Sequence, residues 1–180
     1  MNRAVFLDRD GVINRAPVRL GKPYPPGSLE ELEILPGVVE ALEQLQRASF
    51  LLIVVTNQPD VARGTQTREV VEAMHAFLQA TLPITETMTC YEDGERCPDR
   101  KPNPGMLLKA AALYDIDVAS SFMVGDRWRD VEAGRRAGCQ TVFLDYQYQE
   151  PRPDPAATFT CANLRSAANW ILTHPTKANL

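Results

Sequence analysis

Phe6-Leu7-Asp8-Arg9-Asp10-Gly11-Val12 is the stretch that decides the fold. The apolar run Ala4–Leu7 leads into it and breaks off at Asp8. Asp10 follows two residues later, and Gly11 then permits a tight turn. A short, continuously apolar run reads as a strand covered on both faces, the usual state of strands in a parallel sheet. Ligands of such sheets bind beyond the carboxyl ends of the strands, where Asp8 and Asp10 would lie. Taken alone, Asp-x-Asp-Gly also fits a solvated turn.

Further runs repeat the pattern: Phe50–Val55, Thr87–Cys90, Phe122–Val124 and Thr141–Leu144. Helical stretches are predicted between and after them, over 38–48, 68–81, 104–114, 129–137 and 164–173. Thr67 is the expected cap of the second helix, Asn103-Pro104 of the third, and Gly138 the left-handed end of the fourth. Residues 15–28, with four prolines and two glycines, and 145–156, with three prolines, read as loops. The alternation predicts a Rossmann-like three-layer α/β/α fold with a central parallel sheet, in one domain over residues 1–180.

Chemistry gathers at the strand ends. Val55 is followed by Thr56-Asn57-Gln58, a hydroxyl and two amides that suit a phosphate oxygen or, equally, a turn. Lys101 precedes a predicted helix, where a cation and a positive dipole end both favour an anion; a surface lysine is the plain alternative. Val124-Gly125-Asp126 places another carboxylate at a strand end, and Asp130 opens the next helix. Each signal is modest, but together they form one complementary set. Carboxylates suit a hard cation such as Mg²⁺, and a hydroxyl and an ammonium suit phosphate.

The bulk numbers narrow the class. The chain has 180 residues, 44% hydrophobic and 23% charged, with a net charge of −4. That balance is globular and gives no electrostatic footprint for nucleic acid. No apolar run reaches the length of a membrane span, and the N-terminal one is too short for a signal peptide. The expectation is a cytoplasmic monomer acting on a small-molecule phosphate ester, without nucleic-acid or membrane partners. Its four cysteines are expected to be reduced, with Cys139 and Cys161 as packing residues.

These segments resemble the haloacid dehalogenase superfamily of phosphohydrolases. The match runs through Asp8-x-Asp10, Thr56, Lys101, and Gly125-Asp126 with Asp130. More narrowly, the chain resembles the branch of heptose bisphosphate and histidinol phosphatases. Leu35-Pro36-Gly37-Val38, Val55-Thr56-Asn57-Gln58, Ala62-Arg63-Gly64 and Arg100-Lys101-Pro102-x-Pro104-Gly105-Met106-Leu107 carry that likeness. The resemblance implies an Mg²⁺-dependent phosphatase working through an aspartyl phosphate. Asp8 is then the nucleophile and a metal ligand, and Asp10 the general acid/base with its carbonyl on the metal. Asp126 is the third ligand and Asp130 a supporting carboxylate. Thr56 and Lys101 hold phosphate, while Asn57, Arg63, Arg100 and the loop Ala16–Arg19 face the substrate.

One departure stands out. The branch commonly carries a zinc loop with Cys-x-His and Cys-x-Cys before Arg-Lys-Pro. Here Cys90 and Cys97 remain, but Glu92 and Asp99 occupy the other two places. Structural zinc sites favour four Cys or His ligands, so no zinc is expected. Nor is a cap domain: Asp8 and Thr56 are 48 positions apart and Thr56 and Lys101 only 45. An open site fringed by residues 15–34, 58–66 and 91–99 follows. The expected substrate is the 7-phosphate of a heptose 1,7-bisphosphate, with Arg63 and Arg100, and Arg19 or Lys22, on the second anion. Histidinol phosphate or another sugar phosphate monoester is the alternative, with Glu92, Asp93 and Glu95 meeting a cationic substrate. A non-catalytic protein on this fold is disfavoured because Asp8 and Asp10 are both present.

Overall fold

A computed structural model describes residues 1–174; the last six positions of the expected 1–180 domain lie outside the described residues. Strand β1 (Arg3–Leu7) is followed by a small hairpin, β2 (Val18–Arg19) and β3 (Lys22–Pro23). Then come α1 (Val38–Arg47), β4 (Phe50–Asn57), α2 (Arg68–Thr81), β5 (Glu86–Cys90) and α3 (Gly105–Leu113). The chain closes with β6 (Phe122–Gly125), α4 (Trp128–Ala137), β7 (Gln140–Leu144), β8 (Phe159–Cys161) and α5 (Leu164–Thr173). Six strands form one parallel sheet in the order β5-β4-β1-β6-β7-β8.

Alternating side chains of the inner strands feed two cores. Val5, Leu7, Leu52, Val54, Phe122 and Val124 face one side, where α1 and α5 supply Leu42, Leu45, Ala168 and Ile171. Ala4, Phe6, Ile53, Val55 and Met123 face the other, against Met106, Leu107 and Ala110 of α3 and Ala133 of α4. That two-sided burial is why these strands read as continuous apolar runs. It gives the expected three layers, with no separate cap domain among the described residues.

The differences from the sequence reading are local. Residues 15–28 hold the β2–β3 hairpin rather than loop alone. The sixth strand, β8, was not anticipated; it spans three residues at the sheet edge and is only partly covered. Helix α3 starts at Gly105 with Pro104 as its cap residue. The Asn103 amide instead donates to the Glu95 and Cys97 carbonyls, at 3.0 and 2.8 Å, and ties down the loop before it. Thr67 does cap α2, accepting from the Val70 N–H, and Gly138 ends α4 at φ 94°. Among the described residues, no helix is long and apolar enough to cross a membrane.

The topology fixes where a ligand goes. From β1 the chain continues to β4 on one side, whereas β6 pairs with β1 on the other. The segments leaving β1 and β6 therefore splay apart and open a crevice at the carboxyl edge.

Candidate active site

Asp8 and Asp126 each follow the last residue of their strands, β1 and β6, and so meet at that crevice. Lys101 reaches in from the segment before α3, and Asp130 from the first turn of α4. The Lys101 ammonium lies 2.9 Å from Asp8 Oδ1 and 2.6 Å from Asp130 Oδ1. All three side chains are almost sealed from solvent. The Arg9 N–H also donates to Asp8 Oδ1 at 2.8 Å, and Asp130 Oδ2 accepts from the Arg127 N–H at 3.0 Å. Asp8, Asp126 and Asp130 offer oxygens within 4.8 Å of one another.

Such crowding of carboxylates has a clear electrostatic consequence. Burial pushes the Asp8 carboxyl up to about 6; Lys101 opposes the rise, while Asp130 and Asp10 add to it. Burial, then Asp8 and Asp130, raise Asp126 well above the carboxylate range. For Lys101, burial disfavours the ammonium, yet Asp130 and Asp8 outweigh it and the pKa rises. Both oxygens of Asp126 are buried without a hydrogen-bond partner among the described residues. Unpartnered buried carboxylate oxygens beside two more carboxylates are unfavourable alone and match a divalent cation held by oxygen ligands. The donor set of Asp8, Asp126 and Asp130 therefore fits a hard metal ion held by oxygen ligands. Gly11 makes room for this arrangement: it sits at φ 86°, and a Cβ there would fall 1.9 Å from Asp126 Oδ2.

Asp10 has a separate support that the sequence did not reveal. Arg9, with none of its surface exposed, grips the Asp10 carboxylate with Nε and Nη2 at 3.0–3.1 Å. Asn14 and Gln58 donate to it from either side, each at 2.9 Å. Gln58 also donates to Thr56 Oγ1 at 2.9 Å, which ties the end of β4 to the same cluster. The remaining Arg9 donor points to His75 Nε2, 3.1 Å away on α2. Arg9, Asn14 and Gln58 stand in the quoted motifs but gave no sign of this role, and His75 gave no signal at all.

His75 supplies a test of that cluster. Burial, then the Arg9 charge, lower its pKa from 6.5 to about 4. Between those values the unfolded chain binds a proton that the folded chain does not, so stability falls as pH drops from 6.5 toward 4. The contribution is on the order of 3 kcal/mol and is fully present only above pH 6.5. His75→Gln keeps an acceptor for Arg9 and removes the titration. Urea unfolding at pH 7 and pH 4.5 should show a smaller acid loss in the variant; equal losses would remove His75 from the account.

The other predicted site residues fall into two groups. Asn57, Arg63, Arg100 and Lys101 line one open cleft of about 320 Å³ with Asp8, Asp10 and Asp130. Thr56 lies beneath it, 1% exposed at the end of β4. The Asn57 amide brackets the Lys101 backbone, donating to its carbonyl and accepting from its N–H, each at 3.0 Å. That makes Asn57 a brace for Lys101, with one amide N–H left over on the wall of the cleft. Arg63 and Arg100 converge on one carboxylate, Asp93. The loop Ala16–Arg19 sends Ala16 and Val18 to a neighbouring pocket, and the cleft is met by Lys22–Pro25 after the hairpin turn. Arg127, Arg129 and Glu150 also line the cleft and were not expected there. Glu150 comes from the proline-rich 145–156 segment, whose irregular sequence carries no periodicity that would place it.

The Cys90 and Cys97 sulfurs lie 3.7 Å apart. Glu92 approaches Cys90 with its backbone carbonyl, and an oxygen of Asp99 is 2.5 Å from the Lys109 ammonium. The acidic cluster at Asp8, Asp126 and Asp130 lies elsewhere.

Known proteins agree with this picture. The family model described as HAD-hyrolase-like matches residues 99–167. The D-glycero-D-manno-heptose-1,7-bisphosphate 7-phosphatase of Thermosynechococcus vestitus is 34% identical, covering 95% of this chain and 96% of that protein. The D-glycero-beta-D-manno-heptose-1,7-bisphosphate 7-phosphatase of Helicobacter pylori is 32% identical over 94% and 97% of the two chains. Among solved structures, the D,D-heptose 1,7-bisphosphate phosphatase of B. bronchiseptica, complexed with magnesium and phosphate, superposes with a TM-score of 0.76. It is 29% identical and covers 94% of this chain and 98% of that one. The chain thus belongs to the haloacid dehalogenase superfamily of phosphohydrolases, in its heptose bisphosphate phosphatase branch.

Proposed function

We propose that this enzyme removes the 7-phosphate of a D-glycero-D-manno-heptose 1,7-bisphosphate with Mg²⁺, through a phosphoryl group carried on Asp8. The observation that supports it most is the sealed Asp8–Lys101–Asp130 chain, beside the unpartnered Asp126, at the floor of an arginine-lined cleft. Asp8 attacks phosphorus, the ester oxygen departs, and Asp10 supplies its proton. Asp10 then takes a proton from water as that water attacks the aspartyl phosphate, and phosphate leaves with Asp8 restored. Lys101 stabilises charge on the transferring oxygens, while Asn57 fixes its backbone. Asp8, Asp126 and the Asp10 carbonyl would hold Mg²⁺, which when bound screens the phosphate charge from the attacking carboxylate.

Against histidinol phosphate stands Asp93, one of the three acidic fringe residues that would greet a cation: it already faces Arg63 and Arg100. The direct test is phosphate release from the heptose bisphosphate and a panel of sugar phosphates with Mg²⁺, with ³¹P NMR reporting which ester is cut. Preference for an unrelated monoester, or release of the 1-phosphate, would overturn the assignment.

We also propose that the protein works without zinc. Two thiols remain of the usual four ligands, and an oxygen of Asp99 is bound to Lys109. Elemental analysis should give well under one zinc per chain. The Cys90→Ser, Cys97→Ser double variant should keep its Mg²⁺-dependent turnover within about threefold, because neither sulfur lines the cleft that holds Asp8 and Lys101. Stoichiometric zinc together with loss of turnover in the double variant would make Glu92 and Asp99 working ligands.

A further inference from the structure

The cleft is crowded with cations, and most of them already have partners. Asp93 takes Arg63 through Nε and Nη2, both at 2.7 Å, and Arg100 through Nη1 at 2.6 Å. Arg63 also touches Asp60 at 3.2 Å. Arg127 is forked onto Glu150. Lys101 lies between Asp8 and Asp130. Arg129 differs: among the described residues its guanidinium has no hydrogen bond and no carboxylate within 4.0 Å, although it lines the same cleft. Lys22 is likewise unpaired among the described residues, but its side chain is exposed on a two-residue strand.

Arg129 is also positioned. Its Cζ sits 4.7 Å from the centroid of the Trp128 ring, so the guanidinium face is stacked and restrained. Stacking leaves the N–H donors at the edge of the plane free to meet an anion in a fork. Arg129 immediately precedes Asp130, whose carboxylate is bonded to Lys101, so its backbone is one residue from the catalytic floor. Its surroundings are otherwise repulsive: burial first, then Arg100 and Arg127, lower its pKa, with Glu95 and Glu150 opposing only in part. An unpaired, half-buried guanidinium beside two other arginines is a poor structural element and a good anion site.

We propose that Arg129 is the residue that selects substrates carrying a second phosphate, by binding that group while the first lies on Asp8 and Lys101. The inference rests on the bisphosphate reading above. It adds to Arg63 and Arg100, the second of which Asp93 holds through Nη1 alone, a position the sequence did not single out.

The test compares kcat/KM for the sugar bisphosphate with that for the same sugar phosphorylated only at the cleaved position. Wild type, Arg129→Ala and Arg129→Lys are measured with both substrates in Mg²⁺. The bisphosphate-to-monophosphate ratio should fall about 30-fold in Arg129→Ala, mostly through KM, as expected for one lost charge-assisted fork. Arg129→Lys should recover part of it, since it keeps the charge and loses the fork. Equal losses on both substrates in Arg129→Ala would mark a structural role and overturn the proposal. An unchanged ratio in a wild-type-like variant would overturn it too, leaving the bisphosphate reading intact. A wild-type enzyme with no preference for the bisphosphate would overturn both.

Discussion

Asp8→Asn is expected to lower kcat by about 10⁴-fold or more, because the amide keeps the shape of the side chain and loses the attacking oxygen. The fold should not suffer. Asp8 is buried among like charges, and burial holds its carboxyl up at about 6, so removing that charge relieves repulsion in the metal-free protein. Lys101 retains Asp130 at 2.6 Å as its counter-charge. The melting temperature without metal should therefore stay level or rise while turnover disappears. Rapid acid quench with labelled substrate should trap phosphoryl-enzyme in the wild type and none in the variant. Near-normal turnover by purified Asp8→Asn would falsify the aspartyl-phosphate route, whereas a variant that unfolds would contradict the electrostatic account of the site.

What could be read in advance depended on how local the cause was. Asp8 and Asp126 were legible because each ends an apolar strand, and strand ends of a parallel sheet converge by topology. Helix α2 was legible from its cap and periodic apolar face, and its bounds match those expected. Arg9 was not: an arginine between two aspartates reads as surface, yet it is sealed by contacts from Asp10 and from His75, 66 positions away. The roles of Arg63 and Arg100 also hinged on a distant group. Their charge suggested anion binders, and Asp93, 30 positions beyond Arg63, pairs with both while leaving Arg100 Nε without a partner among the described residues. Strand β8 escaped because three residues at a sheet edge carry too little pattern to tell from a loop. Pairings across loops follow from the folded path of the chain, which spacing alone does not encode.

Metal removal should have the second large effect. Asp8, Asp126 and Asp130 bring three carboxylates within 4.8 Å, and among the described residues Lys101 is the one ammonium paired with them. Both Asp126 oxygens lack a hydrogen-bond partner among the described residues, which leaves them open to a cation. Excess chelator should lower turnover by about 10³-fold or more, since the attacking carboxylate then meets the phosphate charge unscreened. Mg²⁺ should restore it. Ca²⁺ should not, because its longer and looser coordination misplaces the phosphate. Binding itself can be read without turnover: at a hundredfold excess over Kd, Mg²⁺ should stabilise the fold by about 2.7 kcal/mol. Asp126→Asn should lose most of that stabilisation, since it removes the charge of a ligand, and should lose turnover with it. Full turnover in chelator would rule out the Asp8 and Asp126 site. An Mg²⁺-dependent rise in melting temperature that survives intact in Asp126→Asn would place the ion somewhere else.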